Sequence, residues 1–386
     1  MKKLVFMLSA VAVMGWALSS CTDKGVSKLP VFDIGAATAH PLFFDVDQLI
    51  ESIEYFPLGI AQREMPIGRV SEFRVHDNII ILTDPSVDAI HVFNLQEGTL
   101  IHKINRRGRG PEEYTGVYNS ILFDDRVYVE SILDDFLVYD LNGKYLKTIS
   151  LNHLAGLQGN TRVTLNNAIP ERFPMHNYGF AVYHFNTNGL VDKLITIYDE
   201  NGNVVKEYPN KRVVQDRRFV SVGSFSEFYA YKDNILFREQ SNDTTYRITD
   251  RGLLPYMILQ LNNNQRISYE DLDWRDDENK VFYYTFKETS QYTIATTQKS
   301  GGVYFCHKDS QKAFFYPYSK MNRFAEAIFH NAHYNKQYSE SFYTLLQPED
   351  YLDALADGSL PVALQSLKLQ EEDNPVILKI TFKDKK

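Results

Sequence analysis

Hydrophobic residues recur along this chain in short runs that turn-forming residues separate. Examples are Ile79–Leu82, Val127–Val129, Phe136–Tyr139, Ile195–Tyr198 and Ile235–Phe237. The runs are rich in β-branched and aromatic residues, and Asp, Asn or Gly bound most of them, which is typical of β-strands. Long amphipathic patterns are scarce before residue 320. The pattern therefore predicts a β-rich fold.

An internal repeat organises these strands into hairpins. Phe93–Ile104, Tyr139–Ile149 and Tyr198–Tyr208 each contain a β-run, a turn that ends in Gly, and a second β-run, and Tyr246–Gly252 is a degenerate fourth copy. The Asn-Gly pairs in two of these turns supply the positive φ angles that tight hairpins require. Each copy therefore predicts two antiparallel neighbours in a sheet.

The repeat length indicates a β-propeller. The turn glycines at positions 98, 143, 202 and 252 lie 45, 59 and 50 residues apart, as expected for four-stranded blades with loop insertions. The 336 residues from position 51 to the end hold between six and seven such units. A ring of blades would bury both faces of each sheet and leave only short edges.

Three further segments complete the predicted architecture. Ile53–Phe56 and Val376–Ile380 are β-runs near the two ends of the repeat region, and we expect them to meet in one shared blade. Ile267–Lys280 is acidic and predicts a polar loop or short helix. Pro348–Gly358 begins with Pro and acidic residues and ends with Gly, which predicts a short capped helix.

The first residues resemble an export signal. Met1–Lys3 is basic, Leu4–Leu18 is an apolar run, and small residues precede Cys21. This order is typical of a cleaved secretory signal, and the run is short for a membrane-spanning helix. Leu18–Cys21 is similar to a bacterial lipobox, in which the Cys thiol is acylated; the alternative is a plain secretory cut beside a free Cys.

The chain therefore divides into three predicted parts. Residues 1–20 form a lipoprotein signal peptide, residues 21–50 an acylated N-terminus and flexible tether, and residues 51–386 a β-propeller of six or seven blades. Several acyl chains on Cys21 would hold the protein on a membrane almost permanently. We expect an exported protein anchored to the bacterial envelope, at the outer membrane, with a monomeric body.

Charge and cysteine content narrow the partners and the chemistry. The formal net charge of −8 argues against nucleic acid, whose affinity comes from clustered Lys and Arg. The chain has only two cysteines, so acylation of Cys21 leaves no intramolecular disulfide. We expect Cys306 to pack as a small buried hydrophobe; the alternative is a reactive nucleophile.

One polar element could bind a ligand. Arg106, Arg107 and Arg109 surround two glycines, and Glu112, Glu113 and Tyr114 follow them. Backbone N–H groups in such a turn can bind an anion, and Arg can hold a carboxylate or phosphate in a bidentate manner. The alternative is a connector between blades whose arginines pair with nearby acids. No Gly-Lys-Ser/Thr follows, so the element is not a P-loop.

Other polar groupings favour structural roles. His330 and His333 have a spacing that could share a metal on a helix, but no third ligand is evident nearby. Asp124–Asp125 and Asp134–Asp135 could bind Ca²⁺ or act as acid and base, whereas Asp in turns commonly bonds the local backbone. Linear motifs of hydrolases and metalloproteases are missing from the sequence. We therefore predict no metal, no cofactor and no catalytic residues.

Three stretches resemble the six-bladed β-propeller lipoproteins that are common in Bacteroidetes. They are Ile53–Leu58, Gly108–Tyr114 and Glu371–Leu378. The family usually has a further Gly where this chain has Glu112. The resemblance covers the whole mature chain and implies six blades of four antiparallel strands, with short helical excursions near the C-terminus. It implies no substrate and no catalytic residues.

These observations favour a membrane-tethered, non-catalytic propeller that binds a ligand or partner. A surface glycan or another envelope protein would suit such a module, although a fold alone does not define function. The alternative is a propeller enzyme, namely a metal-assisted hydrolase, lactonase or lyase, and it predicts carboxylates or histidines that converge in the ring. A purely structural scaffold is a third possibility.

Overall fold

The structure is a computed structural model. It describes residues 29–42, 46–59, 66–117, 119–123, 125–130, 135–150, 169–173, 176–184, 193–210, 226–232, 234–239, 242–267, 277, 279–298, 301–335 and 341–383. None of the helices in these ranges is both long enough and apolar enough to cross a membrane.

The described strands form six small sheets. The chain first forms β1 (Val31–Asp33), helix α1 (Ile34–Ala39) and β2 (Ile50–Pro57). Blade 1 contains β3 (Glu72–His76), β4 (Ile79–Asp84), β5 (Ala89–Asn94) and β6 (Leu100–Ile104). Blade 2 contains β7 (Ser120–Phe123), β8 (Arg126–Glu130), β9 (Asp135–Asp140) and β10 (Tyr145–Ser150). Blade 3 contains β11 (Ile169–Phe173), β12 (His176–Tyr183), β13 (Lys193–Asp199) and β14 (Val204–Pro209).

The second half of the chain repeats this arrangement. Blade 4 contains β15 (Ser226–Tyr231), β16 (Asn234–Glu239), β17 (Thr244–Thr249) and β18 (Gly252–Gln260). Blade 5 contains β19 (Tyr283–Glu288), β20 (Tyr292–Thr297), β21 (Gly302–His307) and β22 (Lys312–Pro317). Blade 6 contains β23 (Phe342–Leu346), β24 (Val376–Phe382) and the earlier strand β2. The predicted six-bladed β-propeller is confirmed.

Each blade buries both of its faces, as its sequence pattern requires. Ile80, Ile81 and Leu82 of β4 are all inaccessible to solvent, because consecutive side chains in a strand point to opposite faces. Ile81 packs in a cluster with blade 2, whereas Ile80 and Leu82 pack in a cluster with blade 6. Every pair of neighbouring blades, including the sixth and the first, shares such a hydrophobic cluster. The six sheets therefore close into a ring.

Ring closure uses both ends of the repeat region. Strand β2 pairs antiparallel with β24, and the register joins Ile53 to Ile380 and Phe56 to Ile377. The predicted shared blade is thus confirmed. Within the described residues this blade has three strands, and a 3₁₀ turn at Asn331–Tyr334 lies where the other blades have their innermost strand. Phe73 forms a β-bridge with Asn335 directly after that turn.

Short helices are concentrated near the C-terminus, as predicted. Helix α2 (Arg323–His330) is capped by the Asn322 side chain, and helix α3 (Pro348–Ala356) has Pro in its first turn. Gly358 follows α3 with a φ of 78°, so the predicted capped helix is confirmed. Further 3₁₀ turns lie at Val46–Leu49, Tyr318–Lys320 and Val362–Leu367. Most of the acidic segment Ile267–Lys280 lies outside the described residues.

The described part of the N-terminal segment packs on the ring. Within residues 21–50, which the sequence predicts to be a flexible tether, β1 pairs in parallel with β18, and α1 follows it. Phe32 and Ile34 are buried in the cluster between blades 4 and 5, which explains why this part of the segment is ordered. Cys306 is completely buried in the same cluster, as predicted, and burial raises the pKa of its thiol far above the ordinary value. Cys21 lies outside the described residues.

Candidate functional site

The arginine-rich element forms the connector from blade 1 to blade 2. Tyr114 is fully buried, and its hydroxyl accepts a hydrogen bond from the Arg106 N–H at 3.0 Å. The same hydroxyl lies 3.0 Å from the carbonyl oxygens of Asp88 and Ile104, to which it can donate. Backbone bonds between Arg106, Gly108 and Tyr114 close the loop on itself. The tyrosine therefore anchors this loop to the edge of blade 1.

The two glutamates of this element also have local partners. The Glu113 carboxylate accepts a hydrogen bond from the Gly110 N–H at 2.8 Å. The Tyr139 hydroxyl of β9 donates to the Glu112 carbonyl oxygen at 2.7 Å. These contacts fold the connector and attach it to blade 2.

Two of the three arginines of the element contact separate partners. Arg106 donates to the Gly143 carbonyl of the next blade at 3.3 Å, and the Arg107 guanidinium lies 2.8 Å from the Asp88 carboxylate. Arg109 is exposed and forms no ion pair with the described residues. Asn105 separates Arg106 and Arg107 from β6, the outermost strand of blade 1, so the two arginines lie at the start of the connector, at the perimeter. Anion binding by this element stays a prediction.

The remaining candidates are also placed individually. His330 and His333 stack edge to face, with ring centroids 5.5 Å apart. Asp124 and Asp134 lie outside the described residues, and Asp125 occupies a turn with a φ of 57°. Among the residues that the structure describes, no three His, Cys, Asp or Glu side chains could hold a metal ion together. The enzymatic alternative stays a prediction.

Buried polar contacts join the inner strands of the ring. The Glu72 carboxylate of β3 accepts a hydrogen bond from the Ser120 N–H of β7 at 2.6 Å, and Arg74 lies 3.6 Å from the same carboxylate. Between blades 5 and 6, the Lys287 ammonium donates to the Asn335 carbonyl at 2.6 Å. Sequence alone did not single out these residues. Their partners are distant in the chain, and they act as fixed ties between blades.

A polar pocket opens between blades 4 and 5, at the blade ends where connectors join successive sheets. Its volume is 370 Å³. The loop after β18 supplies Asn262, Asn264 and Gln265, the segment before β19 supplies Asn279 and Lys280, and Gln298 follows β20. We call these six residues the amide pocket. Helix α1 forms another wall, on which Gly35 lies so close to Asn262 that a Cβ atom would be 2.5 Å from its side-chain oxygen.

Hydrogen bonding leaves part of the amide pocket available. Within the described residues, the side chains of Asn262 and Asn264 form no hydrogen bond. The Gln265 side-chain oxygen accepts from the Asn262 N–H at 3.1 Å, and Gln298 donates to the Lys280 carbonyl at 3.2 Å. The pocket therefore presents amide groups that can both donate to and accept from a ligand.

The charge in the amide pocket is small. Among the described residues that line the pocket, Lys280 is the only charged one, and its ammonium donates to the Arg266 carbonyl at 2.9 Å. At the floor, the Tyr304 hydroxyl shares a 2.8 Å hydrogen bond with Thr38. Burial raises the pKa of Tyr304 to about 12, so this hydroxyl stays protonated at neutral pH. The pocket suits an uncharged polar ligand better than an ion.

One feature of the sequence corresponds to this pocket. Asn262, Asn263, Asn264 and Gln265 form a run of four amide side chains. Such a run is typical of a turn, and only the fold brings it beside Asn279, Gln298 and helix α1.

Comparison with known proteins gives a family and a fold. A sequence model described as "Domain of unknown function (DUF4934)" matches residues 29–381. No curated protein matches the chain. A crystal structure from Bacteroides fragilis NCTC 9343, described as "Putative exported protein", is similar with a TM-score of 0.67 and 15% identity, over 92% of this chain and 99% of that one. A DUF4221 member from Bacteroides vulgatus ATCC 8482 is similar with a TM-score of 0.53 and 12% identity, over 87% and 98%.

Proposed function

The chain belongs to the DUF4934 family, and we propose that it is an exported, lipid-anchored propeller that binds a neutral carbohydrate in the amide pocket without transforming it. The observation that carries this proposal is the set of amide side chains around the pocket, whose described lining has Lys280 as its one charged residue. A sugar hydroxyl is both a donor and an acceptor, and a carboxamide offers the matching pair of groups.

The availability of Asn262 and Asn264 supports a ligand rather than a purely structural role. Their side chains form no hydrogen bond within the described residues, whereas the side chains of Gln265 and Gln298 in the same pocket do. Both residues are exposed, so a ligand that bonds to them displaces water and breaks no existing protein contact.

The size of the pocket supports a small ligand. A volume of 370 Å³ lies near the lower end of the range for small-molecule sites, which is about 300–1,000 Å³. Aromatic side chains at its base, Phe282, Tyr304 and Phe315, supply an apolar surface beside the amides. A short saccharide, or the end of a longer glycan, combines these polar and apolar requirements.

Export and anchoring are supported by the N-terminus and by a structural relative. The lipobox-like Leu18–Cys21 follows a signal-like segment, and the similar Bacteroides fragilis protein carries the word "exported" in its description. If Cys21 bears the lipid, a Cys21→Ser chain should move from the membrane fraction to the soluble fraction of the native cell. Mass spectrometry that finds an unmodified Cys21 in the native cell would contradict the anchor.

Calorimetric titration tests the binding site. The chain from residue 22 onward, which contains every described strand, would be titrated with neutral saccharides selected on a glycan array. An amide-to-ligand hydrogen bond is worth about 0.5–1.5 kcal/mol, so Asn264→Ala should weaken binding about 2- to 10-fold. Asn262→Ala combined with Asn264→Ala should weaken it more than either change alone.

Asn263 provides a matched control. It lies between the two pocket residues but does not line the pocket, and its side chain contacts Arg266. Asn263→Ala should bind the saccharide as the unaltered chain does. Equal losses in Asn263→Ala and Asn264→Ala, or no retained saccharide on the array, would contradict the proposal.

A further inference from the structure

A second cavity lies in the seam between blades 4 and 5, at the opposite end of these blades. Its volume is 580 Å³. We call it the seam cleft; its lining residues include Arg247, Pro255, Tyr256, Met257, Glu288 and Lys308. The N-terminal segment closes one side with Leu29, Pro30 and Phe32. The seam cleft shares no residue with the amide pocket.

A buried carboxylate is fixed at the base of the seam cleft. The Glu288 side chain is completely buried and accepts hydrogen bonds from the Tyr229 hydroxyl at 3.0 Å and the Tyr256 hydroxyl at 3.1 Å. The Lys308 ammonium lies 2.7 Å from the same carboxylate. Burial, together with the charge of Glu288, raises the pKa of Tyr256, so its hydroxyl remains a donor. Three donors therefore hold Glu288 in place.

Two cations face the cleft around this carboxylate. The Lys308 side chain is 21% exposed, and its ammonium lies 3.6 Å from the centroid of the Tyr231 ring. Arg247 is exposed, donates to the Asn234 side chain at 3.3 Å, and forms no ion pair with the described residues. The described lining residues therefore carry one more positive than negative charge, although the whole chain has a net charge of −8.

The other walls of the seam cleft are apolar. Leu29, Pro30, Phe32, Pro255 and Met257 surround the space beside the two cations. Phe32 and Met257 are almost completely buried and belong to the core between blades 4 and 5. This arrangement puts an apolar surface and an anion-attracting group within one small cavity.

We propose that the seam cleft binds a single-chain amphiphile with an acidic head group. The head, a carboxylate or a phosphate, lies against Arg247 and Lys308, and the alkyl chain lies against Phe32, Pro255 and Met257. The guanidinium and ammonium groups attract the anion, and burial removes the methylene groups of the alkyl chain from water. This proposal does not depend on carbohydrate binding in the amide pocket.

Titration with four probes tests the chemistry of the ligand. Dodecanoate and dodecyl phosphate carry both features, dodecanol lacks the charge, and acetate lacks the chain. We expect one or both of the charged long-chain probes to bind at least tenfold more tightly than dodecanol or acetate, and the tighter one identifies the head group. The proposal would be overturned if dodecanol bound as tightly as the charged long-chain probes. It would also be overturned if neither dodecanoate nor dodecyl phosphate bound.

Arg247 and Arg251 provide a matched pair of variants. Both are exposed residues near the same hairpin, but only Arg247 lines the cleft. A charged hydrogen bond is worth about 1.5–3 kcal/mol, so Arg247→Gln should weaken binding about 10- to 100-fold, and Arg251→Gln less than twofold. Equal effects of the two changes would overturn the assignment.

A second variant and a second ligand keep the result unambiguous. Leu29→Glu, which introduces an acid at the mouth of the cleft, should also weaken binding of the acidic probe, with the melting temperature recorded to confirm folding. Arg247→Gln should leave saccharide binding unchanged, because the amide pocket is separate. The experiments therefore distinguish failure of the seam-cleft proposal from failure of the amide-pocket proposal. If Leu29→Glu bound the acidic probe as tightly as the unaltered chain, the seam-cleft proposal would be contradicted.

Discussion

At the scale of single residues, buried polar side chains hold the blades together. Tyr114 shows this most clearly, because its hydroxyl lies within hydrogen-bond distance of two carbonyl oxygens and one N–H at the blade 1 edge. Burial raises the pKa of Tyr114 to about 12, so the group keeps its proton across the physiological range. A residue that sequence grouped with a ligand-binding element thus has a defined structural role.

Asp84 and His91 form a buried pair that makes stability depend on pH. The His91 Nε2 atom lies 3.5 Å from the Asp84 carboxylate, and both side chains are almost inaccessible. Burial, with the charge of Lys103, lowers the pKa of His91 against the opposing pull of Asp84. Burial would raise the pKa of Asp84, but hydrogen bonds from Ser86 and Gly68 outweigh it and lower the pKa.

We expect acidification from pH 7 to pH 5 to destabilise the protein through His91. Below about pH 6.5 the unfolded chain binds a proton at this histidine, whereas the folded chain does not until a lower pH is reached. The free energy of unfolding therefore decreases as pH falls through this window. The contribution of Asp84 is lost only below its ordinary pKa, which is 3.8. Melting temperatures measured at pH 7, 6 and 5 would follow the change.

Substitution of single histidines tests whether the pH dependence of stability comes from His91. His91→Gln cannot titrate, so this variant should lose less stability between pH 7 and pH 5 than the unaltered chain. His76 is partly exposed, with 41% of its side chain accessible, and His76→Gln should retain the original pH dependence. The same slope in all three proteins would contradict the role of His91.

At the scale of elements, the repeated hairpin turns also form contacts between blades. Gly98 of the blade 1 hairpin has a φ of 63°, and a Cβ atom there would lie 2.1 Å from the Pro57 carbonyl oxygen at the end of β2. Gly202 has the same relation to the Ser150 carbonyl of the preceding blade, at 2.4 Å. The glycine therefore serves both the turn and the close approach of neighbouring blades.

Alanine substitutions at Gly98 and Gly358 separate the cost of the backbone conformation from the cost of the contact between blades. Gly358 also has a positive φ, but no atom lies within 4 Å of where its Cβ would be. Gly358→Ala should cost about 1–2 kcal/mol for the backbone conformation alone. Gly98→Ala should cost about 1–3 kcal/mol more, because the methyl group also displaces the neighbouring blade. Denaturant unfolding measures both values, and equal losses would show that the contact between blades adds nothing.

At the scale of the whole molecule, one strand from the N-terminal side closes the ring. Strand β2 is the outermost strand of blade 6, while β23 and β24 come from the other end of the chain. Strand β24 lies between β2 and β23, so it holds the two ends together. The cluster between blades 5 and 6 and the cluster between blades 6 and 1 both depend on its side chains.

We expect deletion of residues 377–386 to open the ring. The deletion removes Ile377, Leu378, Ile380 and Phe382, all of which are buried. Loss of buried side chains of this kind costs about 2–5 kcal/mol each, and a typical protein has only about 5–15 kcal/mol of stability. The truncated chain should therefore lose its cooperative thermal transition, as followed by circular dichroism.

A shorter deletion is the control for this experiment. Residues 384–386 follow β24, and their removal leaves the pairing of β2 with β24 intact. That chain should melt as the full chain does. An unchanged transition after the longer deletion would contradict closure through β24.

The sequence by itself determined the local structure and the approximate length of the repeat. β-Branched runs, Asn-Gly turns and glycine spacing are local properties, because strand and turn preferences depend on adjacent residues. They predicted the hairpins, the capped helix at Pro348–Gly358 and the buried Cys306, and the end strands correctly indicated closure. The family resemblance supplied the choice of six blades.

Only the tertiary structure decided which polar residues lie together. Asn262 and Gln298 meet in the amide pocket, and Arg247 and Lys308 meet in the seam cleft, although each pair is separated by a whole strand hairpin or more in the chain. The same holds for Glu72 and Ser120 between inner strands. Such sites arise where two blades pack side by side, and the packing of sheets depends on long-range contacts that no local pattern encodes.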